Sequence, residues 1–276
     1  YRKRPGSFIM FIFVHLATLI TVLSIGFLLV YVLVKGIPNL NADIFSWEYT
    51  SDNCSLVPAL INTVYMTLLS LLIAGPIGIF AAIYLVEYAK TGNKLVGVVR
   101  ITAETLTGIP SIVYGLFGML FFTNACGLRL SLISGALTLA IMVLPVIMRT
   151  TEEALMAVPK SYREGSFGLG AGKLRTVFKV VLPSAVPGIL SGIILATGRI
   201  VGETAALIYT AGSVAKMATK LTDSTRTLAV HMYLLSKEGL HTDQGYATAV
   251  VLLVLVVLIN FASDKIAGKV AADKAN

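Results

Sequence analysis

The chain has 276 residues, 56% of them hydrophobic and only 13% charged, with a formal net charge of +8. A soluble globular domain carries about 25% charge; this composition excludes that class and indicates a polytopic helical membrane protein, with several apolar runs near the ~20 residues that span a bilayer. The net charge is not read as a nucleic-acid signal, because basic residues of membrane proteins gather in cytoplasmic loops, and two cysteines make no disulfide framework.

Tyr1 to Arg4 forms a basic flank, and Phe8 to Val34 is the first apolar run. No small-residue cleavage site follows it, so it is read as a retained span. His15 inside it is read as a packing or hydrogen-bonding residue, because no second metal ligand sits nearby in sequence. Lys35 to Leu56 is a polar loop whose Trp47 and Tyr49 suit a membrane interface. The second run, Val57 to Val86, is interrupted by Gly75-Pro76 and Gly78, a pattern of kinks and close helix contacts. A short basic connection, Glu87 to Arg100, leads into the third run, about Val96 to Phe122. Gly108 and Pro110 lie within it, and the missing proline donor predicts a bend or break there. After a brief turn with Cys126, Leu132 to Met148 is the fourth run.

The polar stretch from Thr150 to Pro183 follows and must lie outside the hydrocarbon. Ser161 followed by Glu164 fits a capping box, so a short helix is expected to start at Ser161, and Gly168, Gly170 and Gly172 are expected to end it. The plain reading is a charged cytosolic loop; the sharper one is a docking helix that carries force from a soluble motor. On that reading Phe167 and Leu169 supply apolar contacts, Arg163 and Glu164 charged ones. The fifth run extends from near Val180 to Ala211, and in it Ser184, Gly188, Gly192 and Ala196 form a small-residue stripe suited to close helix approach. Thr210 to Gly245 is read as a long polar loop in which His231 and His241 are surface or interface residues; their spacing fits no compact metal site, and none is expected. Tyr246 to about Ala262 is the sixth run, followed by a tail with Lys265, Lys269 and Lys274.

With the amino terminus inside and six spans, 15 of the 22 basic residues fall on the cytoplasmic side. Six fall outside (Lys35, Arg129, Lys216, Lys220, Arg226 and Lys237), and Arg199 is left within a span. This bias puts both termini in the cytoplasm of an inner-membrane protein. Cys54 and Cys126 are then both outside, where a disulfide is conceivable and unpaired thiols are the favoured reading. The outer loops carry mixed charge, net −2 for 35–56 (one basic, three acidic) and +1 for 210–245 (four basic, three acidic). That suits delivery by a docked protein better than long-range capture of a free anion.

Arg199 and Glu203 are four residues apart and are read as sharing a face of the fifth helix, lining a path for an oxyanion. An arginine inside a span costs about 2.5–3.5 kcal/mol on insertion scales, so it faces protein or water, and its fork suits a tetrahedral oxyanion. The competing reading is a structural intrahelical ion pair. The fold class expected is all-α: residues 1–56 an amino-terminal span and outer loop, 57–270 a core with a cytoplasmic coupling loop at 149–179, and 271–276 a short tail.

Glu164-Gly165-Ser166, Gly170, Val180, Leu182 and Pro183 resemble, in register, the cytoplasmic Glu-Ala-Ala…Gly…Ile-x-Leu-Pro loop of binding-protein-dependent ABC importer permeases. Gly165 and Ser166 replace the alanines, and Val180 the isoleucine. The segments 107–118, 144–154, 158–164 and 198–206 are similar to the phosphate-specific permeases of that family, most of all to the PstA type. The resemblance implies a MetI-like bundle of five core helices with one added amino-terminal helix. It implies a PstC-like companion permease, an ATPase dimer on the cytoplasmic face and a phosphate-binding protein outside. ATP and Mg²⁺ belong to the ATPase; this chain has no GxxxxGK[ST] loop, carries no cofactor and is not expected to be an enzyme by itself. Permeases for molybdate or sulfate share the loop, and an ATP-independent channel or carrier is the alternative class.

Overall fold

The computed structural model describes residues 5–90 and 92–272; the basic flank at 1–4 and Lys274 lie outside them. Among the described residues all regular structure is helical, with no strand. Helix α1 (Pro5–Gly36) is followed by two short 3₁₀ turns, then α2 (Val57–Ile83), α3 (Lys94–Thr107), α4 (Ser111–Gly118) and α5 (Leu132–Ala157). The polar insert holds α6 (Lys160–Gly168) and α7 (Lys173–Thr176), and the rest is α8 (Leu182–Val201), α9 (Ala205–Thr210), α10 (Leu228–Glu238) and α11 (Thr242–Ala272). Five helical stretches are long and apolar enough to cross a membrane; a sixth span results if α3 and α4, bent by 104° at their junction, count as one.

The bend falls at Gly108–Pro110, as the proline predicts. Gly108 is the C-cap of α3, and Pro110 the N-cap of α4. Buried Tyr114 staples the two halves together by donating its hydroxyl to the Leu106 carbonyl at 2.8 Å.

The centre of the bundle is α5, flanked by α2 and α8. Its buried Leu139, Met142, Val143 and Ile147 meet Met66 and Ala74 of α2 and Ala196 and Ile200 of α8. The small-residue stripe works as the spacing suggests: a Cβ added at Gly188 would lie 2.6 Å from Ala154 Cβ, and one at Gly192 would collide with the Thr150 hydroxyl. Helix α1 lies along α11, where a Cβ on Gly36 would collide with the backbone of Tyr246.

Two expectations about segment length are corrected. The fourth run is not confined to Leu132–Met148: α5 continues to Ala157, because its charged turn is satisfied along the helix. Arg149 pairs with Glu153 at 3.1 Å, and Glu152 with Arg100 of α3 at 2.5 Å. The stretch after Thr210 is not simply a polar loop, since it contains α10, five of whose residues are buried. Asn62 of α2 clamps this region by donating to the carbonyls of Lys216 and Arg226 and accepting from the Ala218 N–H.

Candidate functional site

The fifth run is broken. From Lys173 it rises as one continuous helical span to Val201, where Gly202 caps it, and α9 resumes at Ala205. This corrects the expectation that Arg199 and Glu203 share a helix face. Glu203 sits in the break, 8% exposed, and its Oε1 accepts the Ala206 N–H at 3.0 Å, so its carboxylate caps the first turn of α9. The intrahelical ion pair is not formed either: among the described residues Arg199 makes no ion pair or hydrogen bond. It stands half-buried on the wall of a groove of about 650 Å³.

The depth of Arg199 follows from packing. Gly188 faces Ala154 and Gly192 faces Thr150, so α8 runs antiparallel to α5. Thr150 is 18 residues beyond Leu132, the start of α5, which places it about 27 Å down at 1.5 Å per residue. Arg199 is seven residues beyond Gly192, about 10 Å back up, and therefore about 17 Å below the start of α5. In a hydrocarbon layer about 30 Å thick that is near the middle.

Both helix breaks lie at this level. A Cβ on Gly115 would approach Ala206 Cα to 2.8 Å, and one on Gly118 would approach Thr210 Cγ2 to 2.7 Å. Helices α4 and α9 thus run parallel in backbone contact, which sets the start of α4, just after Pro110, beside the Gly202–Thr204 break. A guanidinium without a partner, two interrupted helices and freed backbone groups at one depth form a polar belt where the surroundings are otherwise apolar. Irregular backbone at that depth is tolerated where it lines a cavity or is covered by protein.

The second part of the candidate site is the short helix of the polar insert, α6. Helix α6 starts at Lys160 with Pro159 as N-cap, so the capping box is corrected: no side chain caps this end, and Ser161 lies inside the first turn. The proline supplies the entry, its fixed φ of −53° leading into the helix and its carbonyl accepting from Tyr162. The other end stops as the glycines suggest. Gly170 has φ +82°, its N–H bonds to the Phe167 carbonyl at 2.9 Å and that of Ala171 to the Ser166 carbonyl at 3.1 Å, a Schellman stop.

Of the residues expected to meet a motor, Glu164, Phe167 and Leu169 face outward, Phe167 47% and Leu169 91% exposed. Arg163 is differently engaged. It forks onto Glu87 Oε1 at 3.0 and 2.6 Å and donates to the carbonyls of Leu155 and Val158. It therefore ties α6 to the helical turn at Tyr84–Tyr88 that extends α2 and to the end of α5. Ser166 meets Thr176 at 2.8 Å, and the Lys173 ammonium sits 5.1 Å from the Tyr88 ring. These links make α6 a rigid projection with an apolar tip.

His231 is buried, contrary to the surface reading. Its Nε2 lies 3.2 Å from the Cys54 carbonyl, and its ring meets Tyr49 edge-on. Burial and then the nearby Arg226 charge lower its pKa to about 3, so the ring is neutral and Nε2 is the donor. Arg226, 6% exposed, lies over Tyr49 at 4.6 Å. Cys54 is buried, Cys126 exposed, and both are free. Among the described residues no His, Cys, Asp and Glu cluster could hold a metal.

Residues 74–272 match the family described as binding-protein-dependent transport system inner membrane component. The probable ABC transporter permease protein YqgI of Bacillus subtilis (strain 168) is 33% identical over 270 residues, 90% of each chain. The phosphate transport system permease protein PstA of Xylella fastidiosa (strain 9a5c) is 40% identical over 179 residues, 64% of this chain and 62% of that one. PstA 1 of Mycobacterium tuberculosis (strain CDC 1551 / Oshkosh) is 35% identical over 211 residues, 75% and 69% of the two chains. Among solved structures, an inward-facing MetNI methionine ABC transporter superposes with a TM-score of 0.61 at 24% identity, over 78% of this chain and 95% of that one. A bacterial alginate ABC transporter bound to its pentasaccharide-loaded periplasmic protein gives 0.62 at 17% identity, over 91% and 95%. At these identities the structural likeness concerns the fold alone.

Proposed function

Because the chain belongs to the family of binding-protein-dependent transport system inner membrane components, the multi-pass permeases of ABC importers, we propose that it is the subunit through which inorganic phosphate crosses the inner membrane. A permease of this family works with an ATPase and a substrate-binding protein. In the proposed assembly a PstC-like second permease faces this one, the binding protein delivers phosphate from outside, and ATP and Mg²⁺ act in the ATPase. Both termini are cytoplasmic, a reading supported by the basic-residue bias, and this chain hydrolyses nothing itself.

The observation that carries the reading is Arg199, unpaired at mid-depth beside two helix breaks. A charge there is retained for a ligand rather than for packing, and a guanidinium presents a planar fork of donors to a tetrahedral anion. The names of the PstA relatives add support for phosphate. One arginine is modest attraction for a dianion, which suits a station that must release its ligand.

The test is uptake by the whole complex in proteoliposomes with the binding protein present. Arg199→Gln is expected to lower phosphate uptake about 10- to 100-fold, the loss of one charged hydrogen-bonding group, with assembly and binding-protein affinity intact. Native-rate uptake by Arg199→Gln overturns the path assignment. Uptake of molybdate or sulfate in place of phosphate by the unaltered complex overturns the substrate.

A further inference from the structure

The groove that holds Arg199 has a second polar wall. Ser191, Ile194, Leu195, Gly198 and Arg199 line it from α8, and Asn260 lines it from α11. Asn260 is exposed within the apolar Thr242–Ala262 span and makes no side-chain hydrogen bond among the described residues. It lines the same groove as Arg199. Tyr246 packs against Gly36 at the end of α1; Asn260 is 14 residues farther along α11, about 21 Å deeper. An amide and a guanidinium left without partners are both costly in hydrocarbon, so the open side of this groove faces water or protein.

We propose that Asn260 is a second substrate-contacting residue of the path, hydrogen-bonding the oxyanion beside Arg199, with Ser191 the next polar contact toward the cytoplasm. The proposal rests on the reading of Arg199 as a path residue. The amide NH₂ adds donors without adding positive charge, so it orients the anion while leaving it free to depart. Its carbonyl oxygen accepts the P–OH proton of monohydrogen phosphate, a proton that sulfate lacks. This places the proton-reading acceptor on α11. Glu203 is less suited to that task, because its Oε1 is engaged by the Ala206 N–H. Ser191 donates to the Pro187 carbonyl at 3.1 Å and keeps its oxygen lone pairs for water or a protonated ligand oxygen.

The experiment uses the complete complex in proteoliposomes, in a Cys54→Ala, Cys126→Ser background. Asn260→Leu is expected to slow phosphate uptake about tenfold, with Asn260→Gln retaining more activity. Asn260→Cys is expected to react with a membrane-impermeant thiol reagent, and inorganic phosphate under turnover should slow that reaction. An unreactive Asn260→Cys in the assembled complex, or native uptake by Asn260→Leu, overturns the proposal. Arg199→Gln separates the two readings. If it abolishes uptake while Asn260→Leu is native, only the Asn260 assignment fails; if Arg199→Gln is itself native, the path reading fails.

Discussion

His231 shows what a single buried titratable group imposes on α10 and its neighbours. In the folded chain it titrates near 3, below the ordinary 6.5. Its contribution to stability is complete above pH 6.5 and is lost as pH falls through the window down to about 3, by about 1.4 kcal/mol per unit, because only the unfolded form binds the proton there. Amide exchange of Leu228–Glu238 in nanodiscs is expected to accelerate between pH 7 and 4.5. His231→Gln should flatten that dependence, and an equally steep loss in the variant would assign it to other groups. The burial of His231 was not legible in the sequence. Its partner Cys54 is 177 residues away, and α10 is too short to display a periodic pattern. Arg199 was legible because a charge inside an apolar run is informative without knowledge of its neighbours. Asn260, neutral and single in such a run, carried no comparable signal.

At the scale of the element, α6 separates roles that its sequence ran together. Arg163 and Glu164 are adjacent and both charged, yet one is committed inward and the other is exposed. Arg163→Leu would strand Glu87, whose side chain is nearly buried, at a cost of about 3 kcal/mol, and should lower the melting temperature of the permease by itself. Leu169→Asp alters only the exposed tip; it should leave that temperature unchanged while reducing copurification of the ATPase and substrate-stimulated ATP hydrolysis. Gly170→Ala forces a Cβ into the left-handed region at a cost of about 1 kcal/mol and should loosen the α6 stop with a smaller loss of coupling. If Leu169→Asp captures ATPase normally, the apolar tip is not the contact. The glycine register made the end of α6 readable. Its start was misread by one residue because Pro159 competes with Ser161 as the entry signal, and the charged last turns of α5 looked like loop because their ion pairs with α3 are long-range.

For the whole molecule, the proposed path rests on two kinds of close helix approach that differ in what can yield. A Cβ on Gly192 meets the Thr150 side chain, whereas one on Gly115 meets the Ala206 backbone at 2.8 Å. In the first case truncating the neighbour to alanine removes the clash with its hydroxyl and leaves its Cβ at 2.8 Å; in the second no side-chain truncation relieves the contact, and α9 must move. Overpacking of either kind costs about 1–3 kcal/mol, but the functional consequences diverge. Displacing α9 from α4 shifts the Gly202–Thr204 break, and with it the C-terminal end of α8 that presents Arg199. Gly192→Ala is therefore expected to lower the melting temperature of the complex and to be partly rescued by Thr150→Ala, which removes the obstructing hydroxyl. Gly115→Ala is expected to cut phosphate uptake even where the complex still assembles, and no side-chain truncation on α9 should restore it. Uptake at the native rate in Gly115→Ala would mean that α9 moves without disturbing Arg199, and that the level shared by the two breaks is a packing feature rather than part of the path.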